Sequence, residues 1–490
     1  MELFAEVGNG RLRSVNKRKL ISLAVLLITN LLNYIDRFTI AGVLTQLQSY
    51  FRITDDDSKA GLLQTAFIVF YMFFCPVFGY LGDRYSRKVV LSVGISLWVI
   101  AVFTSTLISS NHFFVFMLFR GIVGVGEASY STVAPTIIAD LYSGCARSAA
   151  LSVFYFAIPV GSGLGFIFGS NISILLGSWQ WGVRLTSVFG VLCLLLIIFA
   201  IEEPVRGESD RACLEKSVLL DDLKYLFKIK TYCMTTAGFT AVVFLVGSLS
   251  WWTPTLMEHA WALQHGTTEV SPTIKAKISS NFGIITCFAG TVGVIMGSFV
   301  AQIWKRGNSL IAPNKKADPY VCAIGALAAT PLLFSALYLA EKHVAITWVL
   351  IFLGITCCCL NWAVNMDMLM YIVVPQCRSI ATAVQTLISH LFGDATSPYF
   401  IGRISDVIRG GDESVIRRYL ALQHSLYAPL FMLVVAGGFY LAASFTVDDD
   451  RELALSKMHA SELEPIVAPN VSETSPLLDA VEQTPVSQSI

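Results

Sequence analysis

The chain has 490 residues, 55% of them hydrophobic and only 14% charged, with a mean hydropathy of +0.65. Soluble domains carry about 25% charged residues, so this composition cannot cover a water-soluble fold of this size, and it excludes the disordered, fibrous and disulfide-rich secreted classes. Basic and acidic residues balance at 34 each, leaving no net field to attract nucleic acid. The chain reads as an integral membrane protein.

In chain order, segment 1–19 holds Arg11, Arg13, Lys17, Arg18 and Lys19, a basic start like a signal-peptide n-region. The apolar run 20–47 is too long for an h-region and contains Asp36 and Arg37, so it is expected to be a retained first helix. Stretches long enough to cross a bilayer follow at 60–82, 89–109, 113–140, 147–170 and 183–201. After a polar stretch they resume at 232–256, 280–303, 318–340, 345–372, 379–405 and 421–446. Twelve spans in two sets of six predict an all-α membrane protein. Its N-terminal six-helix bundle covers 20–201, a cytoplasmic linker 202–231, and a C-terminal bundle 232–446. The acidic, Ser/Pro-rich tail 447–490 is expected to be disordered and cytoplasmic.

Lys and Arg set the orientation. With the N-terminus cytoplasmic, 22 of them fall on that side and 10 on the other, which puts both termini in the cytoplasm. The cluster Arg403–Arg418 is the segment that breaks the rule. All 11 cysteines then fall in spans or cytoplasmic segments, so no disulfides are expected. Cys357-Cys358-Cys359 has no His or carboxylate at ligand spacing and reads as small packing residues rather than a metal site. No cofactor is expected.

Ionisable residues deep in a span are costly and point to function. Asp36 and Arg37 stand in the first span, Arg120 and Glu127 in the fourth. Arg120 and Glu127 are two helical turns apart and share one face, which must look into protein or water. A carboxylate that alternates between a desolvated setting and an arginine partner can carry a proton; a static buried ion pair is the alternative. Gly79-Tyr-Leu-Gly-Asp83-Arg84-Tyr-Ser-Arg87-Lys88 joins spans 2 and 3. Gly79 there is expected to allow close helix approach, Asp83 to lie against a neighbouring helix N-terminus, and Arg87 and Lys88 to hold the cytoplasmic face. Gly297, Ala301, Lys305 and Arg306 keep the same offsets between spans 8 and 9, the mark of a duplicated transporter. The fifth span carries Pro159, Gly161, Gly163, Gly165 and Gly169, which suit either tight packing or a pliable cavity wall. In the eleventh, His390 and Asp394 are four apart and can face the same way, and Asn361, Asn365 and Asp367 add polar groups in the tenth. Asn171-Ile-Ser173 is a formal sequon, expected to lie too near the membrane for use.

The Gly79–Lys88 loop and Arg120-Gly-Ile-Val-Gly124-Val-Gly126-Glu127 resemble signatures of the major facilitator superfamily. Asn33-Tyr34-Ile-Asp36-Arg37-Phe-Thr-Ile-Ala-Gly-Val, Gly124-Val-Gly-Glu-Ala-Ser-Tyr-Ser-Thr, Phe154-Tyr-Phe-Ala-Ile-Pro-Val-Gly-Ser-Gly-Leu-Gly and Ser389-His390-Leu-Phe-Gly-Asp394-Ala narrow the resemblance to the Spinster family, over about residues 25–445. The resemblance implies alternating access between two bundles and carriage of a single-chain amphipathic lipid, either a lysophospholipid or sphingosine 1-phosphate. It implies Asp36, Glu127 and His390 in proton coupling; Asn33, Tyr34, Arg37, Arg120 and Asp394 around the headgroup; and Gly79, Asp83, Arg84, Arg87 and Lys88 in gating. A phosphate needs an arginine and a tail needs an apolar cleft, both of which the chain can supply. In the tail, Glu473-Thr-Ser-Pro-Leu477-Leu478 fits an acidic-dileucine sorting signal read by adaptor proteins. With the family, it favours the late endosome and lysosome and the lysophospholipid branch, with the plasma membrane as the alternative site. A membrane-embedded lipid enzyme would need a nucleophile–base or metal cluster, and His390 with Asp394 is the nearest approach to one, so a non-enzymatic carrier is expected; the resemblance in fold class implies a monomer.

Overall fold

The computed structural model describes residues 7–8, 11–12, 17–142, 144–201, 203, 219–307, 312–374 and 377–467. Seven helices build the first half: α1 (Lys17–Gly42), α2 (Leu44–Phe51), α3 (Asp57–Arg84), α4 (Arg87–Ser105), α5 (Phe113–Leu141), α6 (Gly144–Leu175) and α7 (Trp179–Ala200). A short amphipathic helix, α8 (Leu219–Lys228), precedes the second half. That half comprises α9 (Lys230–His265), α10 (Pro272–Arg306), α11 (Ala317–Leu339), α12 (Val344–Ile372), α13 (Arg378–Ser389), α14 (Ser397–Arg409), α15 (Val415–Ser425) and α16 (Tyr427–Val467). Val7–Gly8 and Arg11–Leu12 form a two-residue antiparallel ladder ahead of α1.

Among the described residues, eleven helical segments are individually long and apolar enough to cross a membrane. The remaining crossing is α13 and α14 joined by a π-helical turn, His390–Asp394, in which the Ala395 N–H reaches the His390 carbonyl at 2.9 Å. Such wide turns offset a helix locally and re-aim its side chains. The first crossing is divided as well. α1 ends at Gly42, where a Cβ would sit 3.1 Å from the Phe166 backbone, and α2 continues at an offset.

Small residues let these helices pack. The four-residue row Gly161, Gly165 and Gly169 on α6 lies against α1, where a Cβ would sit 2.6 Å from Tyr34, 2.7 Å from the Ile35 carbonyl and 2.9 Å from Thr39 respectively. Gly163 instead faces the other bundle, 2.4 Å from the Gly283 carbonyl of α10. Packing thus accounts for the glycine row. The bundles meet along α6–α10 and α3–α14, and α16 closes the second bundle against α9 and α11.

For reference, the end carrying Lys17, Arg87, Lys88 and Lys305 is the basic face, and the end carrying α2 and Asp55–Asp57 is the distal face. Over residues 447–467 of the tail, the expected disorder gives way to helix. α16 runs on to Val467, because residues past the apolar stretch are tied to the bundle. Asp450 accepts the Thr231 N–H at 2.8 Å, capping α9, and Lys316 meets Asp448 at 3.6 Å. The Arg451 guanidinium and Lys457 ammonium sit over the rings of Tyr371 and Tyr225. Glu473, Leu477 and Leu478 lie outside the described residues, as does most of the linker 202–231.

Candidate coupling and substrate site

α1 presents Asn30, Asn33, Asp36 and Arg37 inward at helical spacing. Asn30 Nδ2 donates to the Phe154 carbonyl at 2.8 Å and fastens α1 to α6. Asp36 and Arg37, although adjacent, serve different bundles. Asp36 is completely buried in the first. Its Oδ1 accepts from the Thr186 hydroxyl of α7 at 2.5 Å, and its Oδ2 accepts from Trp98 Nε1 of α4 at 3.3 Å. Arg120 Nη1 of α5 stands 3.6 Å from the same Oδ2, an ion pair without a hydrogen bond. Arg37 reaches across to the second bundle, where its Nη2 donates to Asp394 Oδ2 at 3.0 Å. Asp394 Oδ1 lies 2.9 Å from His390 Nδ1, so the π turn delivers both residues to the middle of the interface.

Glu127, two turns from Arg120 on the same face of α5, is buried in the field of Arg37, Asp36 and Arg120, and its Oε1 has no hydrogen-bond partner among the described residues. Asn33 Oδ1 and Arg37 Nε are likewise buried without partners among the described residues. Both guanidiniums also use Phe67 of α3, with Arg37 at 5.0 Å and Arg120 at 5.6 Å from its ring centroid. The glycines of the α5 motif make this possible. A Cβ at Gly124 would lie 2.3 Å from the Phe67 carbonyl, and one at Gly126 would lie 2.6 Å from Trp98 Cβ. The motif thus brings α3 and α4 onto opposite sides of α5, which carries Phe67 to the arginines and Trp98 to Asp36.

The structure brings Asp36 and Arg120 together, and separately Arg37, Asp394 and His390. Tyr34 lies in the electrostatic reach of Arg37. The residues expected to gate sit far away at the basic face. Arg87 pairs with Asp140, its N–H and the Ser86 hydroxyl bind Glu203, and Lys88 donates to the Ile201 carbonyl at 3.0 Å. Arg84 covers the Tyr80 ring, and the Asp83 side chain lies outside the described residues. The expected role of Gly79 is not met. A Cβ there meets no described atom within 4 Å; Gly82 is the close glycine, 3.0 Å from Val133. Gly297 does make a close approach, 2.4 Å from the Leu360 carbonyl of α12. Lys305 pairs with Asp318, which also accepts from the Tyr371 hydroxyl at 2.8 Å. Asn365 joins Gln385, Tyr440 and Thr236 in a buried neutral network, and Asn361 donates to the Cys358 carbonyl. The Asn171 amide donates to Ser280 of α10 at 2.7 Å, so the sequon asparagine serves the inter-bundle contact.

Sequence reasoning missed Phe67, Trp98 and Thr186, and it missed a lock on the distal face. Asp406 of α14 accepts the N–H groups of Asp57 and Ser58, each at 2.9 Å, and so caps α3 from the other bundle. Ser405 donates to Asp57 at 2.9 Å, Arg409 binds Asp406 and the Asp55 carbonyl, and Arg418 pairs with Asp55 at 3.0 Å. A Cβ at Gly402 would lie 2.4 Å from the Asp57 carbonyl, and one at Gly61 would lie 2.3 Å from that of Pro398. Arg409 and Arg418, in the cluster expected to break the charge rule, answer acids rather than lipid. The signal for this was Asp406 and Arg409 at i, i+3 opposite the Asp55-Asp56-Asp57 run.

This architecture defines a major facilitator transporter, and the Major Facilitator Superfamily model matches residues 26–398. Relatives narrow it. Protein spinster homolog 1 of Xenopus laevis is 44% identical over 443 residues, covering 89% of this chain and 83% of that protein. The Homo sapiens protein of the same name is 42% identical over 444 residues, with the same coverages of 89% and 83%. The chain belongs to the Spinster family. In fold it is similar to a bacterial homolog of the human lysosomal transporter Spinster, solved inward-facing and unoccupied. That match has a TM-score of 0.76 at 22% identity, covering 89% of this chain and 98% of that one.

Proposed function

We propose that this transporter is a proton-coupled, alternating-access exporter of lysophospholipids, moving lysophosphatidylcholine and lysophosphatidylethanolamine from the lysosome to the cytosol. The observation that carries the reading is the Arg37–Asp394 bridge between the bundles, set in a cluster with two arginines and three carboxylates, Asp36, Glu127 and Asp394. Uncompensated charge is expensive in such a place. The cluster is neutral when it holds one proton, on Glu127 or on the neighbouring His390. A lipid phosphate entering between the bundles competes with Asp394 for Arg37, and a proton weakens Asp394's hold. Binding and protonation are thereby linked to separation of the bundles.

In this scheme the basic face, with both termini, is cytosolic, and the distal face is lumenal and closed. The protein works as a monomer, and Asn33, Tyr34 and Arg120 line the headgroup site. Similarity to a homolog of a lysosomal transporter and the Glu473–Leu478 sequence both support the lysosomal setting. The test is uptake of labelled lysophosphatidylcholine into proteoliposomes, with and without an inward proton gradient, for wild type and Glu127→Gln. Gradient-stimulated uptake that disappears in the variant is expected. Uptake indifferent to both removes proton coupling, and sphingosine 1-phosphate as the better substrate in the same vesicles overturns the lysophospholipid assignment.

A further inference from the structure

Asp36 is buried on every side, and Thr186 of α7 is its closest donor. The Thr186 hydroxyl stands 2.5 Å from Asp36 Oδ1 and 2.7 Å from the Val183 carbonyl of its own helix. A hydroxyl has one proton and can accept through its lone pairs. It can therefore donate to an ionised Asp36. It can equally rotate to donate to Val183 while accepting from a protonated Asp36. Either way no buried polar atom is stranded, which is the costly outcome in a low-dielectric interior. Trp98 Nε1–H is a donor only and cannot make this exchange.

The surroundings hold the hydroxyl in place. At Gly190, one turn along α7, a Cβ would lie 2.6 Å from Val99 and 3.1 Å from the Trp98 ring, so α7 and α4 are pressed together beside the carboxylate. The charged groups around Asp36 are Arg120 and Glu127 from α5 and Arg37 from α1 itself. α4 and α7 contribute the neutral donors Trp98 and Thr186, and α6 presents the row Gly161, Gly165 and Gly169 toward α1. Thr186 is thus a neutral group with two hydrogen-bonding settings at the first bundle's deepest carboxylate.

We propose that Thr186 is a positioning residue for proton exchange at Asp36, its hydroxyl turning between Asp36 and the Val183 carbonyl as the carboxyl gains and loses its proton. This rests on the reading of Asp36 as a coupling carboxylate. The experiment is the pH profile of lysophosphatidylcholine uptake by the full chain in proteoliposomes, for wild type, Thr186→Val, Thr186→Ser and Asp36→Asn, with folding checked by size-exclusion chromatography. Thr186→Val keeps the shape but removes both interactions; because a hydrogen bond to the charged carboxylate is worth about 1 kcal/mol more than one with the neutral acid, its profile should move to higher pH by about one unit. Thr186→Ser should keep the wild-type profile, and adding Thr186→Val to Asp36→Asn should move nothing further. If Thr186→Val is poorly folded, Thr186→Ala supplies the same comparison. A Thr186→Val profile that overlays wild type, while Asp36→Asn loses its pH dependence, overturns the role of Thr186 alone. An Asp36→Asn profile identical to wild type overturns the coupling role of Asp36 and the proposal with it.

Discussion

Arg409→Ala should release the distal face. Arg409 is buried, 4% exposed in its side chain, and lies 2.8 Å from Asp406 Oδ1 and 3.8 Å from Asp57 Oδ2 while also holding the Asp55 carbonyl. Removing one member of a buried ion pair costs about 3–5 kcal/mol, mostly through the charge left behind. Asp406 travels with Arg409 on α14, whereas Asp55 and Asp57 belong to the other bundle. Much of that cost therefore falls on the state in which the bundles touch. Taking about 3 kcal/mol, the balance between distally closed and distally open forms should shift by roughly 150-fold. Spin labels at Asn111 and Glu269, exposed on the distal ends of the two bundles, report this as a distance distribution. Wild type should give a dominant short distance and Arg409→Ala a dominant longer one. Gly402→Val should do the same by sterics, since its first added carbon would meet the Asp57 carbonyl at 2.4 Å. Distributions for both variants that superimpose on wild type would refute the assignment of this cluster as the lock.

Two further outcomes follow from local geometry. The paired glycines of the basic-face loops should respond unequally. Gly79→Ala meets open space inside a helix and should raise thermal stability slightly, by about 0.5–1 kcal/mol, whereas Gly297→Ala drives a methyl to 2.4 Å from the Leu360 carbonyl and should cost about 1–3 kcal/mol, read as a lower melting temperature. Asp56 caps α3, accepting the Lys59 N–H at 3.0 Å, so Asp56→Ala should lose about 1 kcal/mol in the same assay. Burial pushes the Asp56 carboxyl up, but hydrogen bonds from Lys59 and Ser58 and the Lys59 charge outweigh it and hold the group below its ordinary 3.8. The cap's contribution should thus be fully present above pH 3.8 and be lost as pH falls through the lowered value; a wild-type-to-Asp56→Ala difference that grows on acidification would contradict this.

Much of the scaffold was legible because a bilayer imposes a one-dimensional rule. Every crossing must satisfy its own backbone and be apolar over a set length. The runs 113–140 and 345–372 accordingly meet α5 (Phe113–Leu141) and α12 (Val344–Ile372) almost end to end. Hydropathy averages over a window, however, and so could not register the break at Gly42 or the π turn at His390–Asp394, each set by packing against another helix. Nor did the acidic composition after Val447 foretell a helix to Val467, since Asp448 meets Lys316 just ahead of α11, and Asp450, Arg451 and Lys457 find partners on α9, α12 and α8.

The sequence by itself determined the class of protein, the two-bundle plan and which charges were too costly to be idle. His390 and Asp394, four apart on one helix, were readable as neighbours for the same local reason. Only the tertiary structure decided the partners. It sent Arg37 to Asp394, 357 positions away, while its neighbour Asp36 turned to Trp98, Arg120 and Thr186. It also set Asp406 on the N-terminus of α3, 349 positions from Asp57. Hydropathy and helical period act along the chain and can be counted there. Buried charge is satisfied through space, and which residue answers it depends on how the two bundles meet.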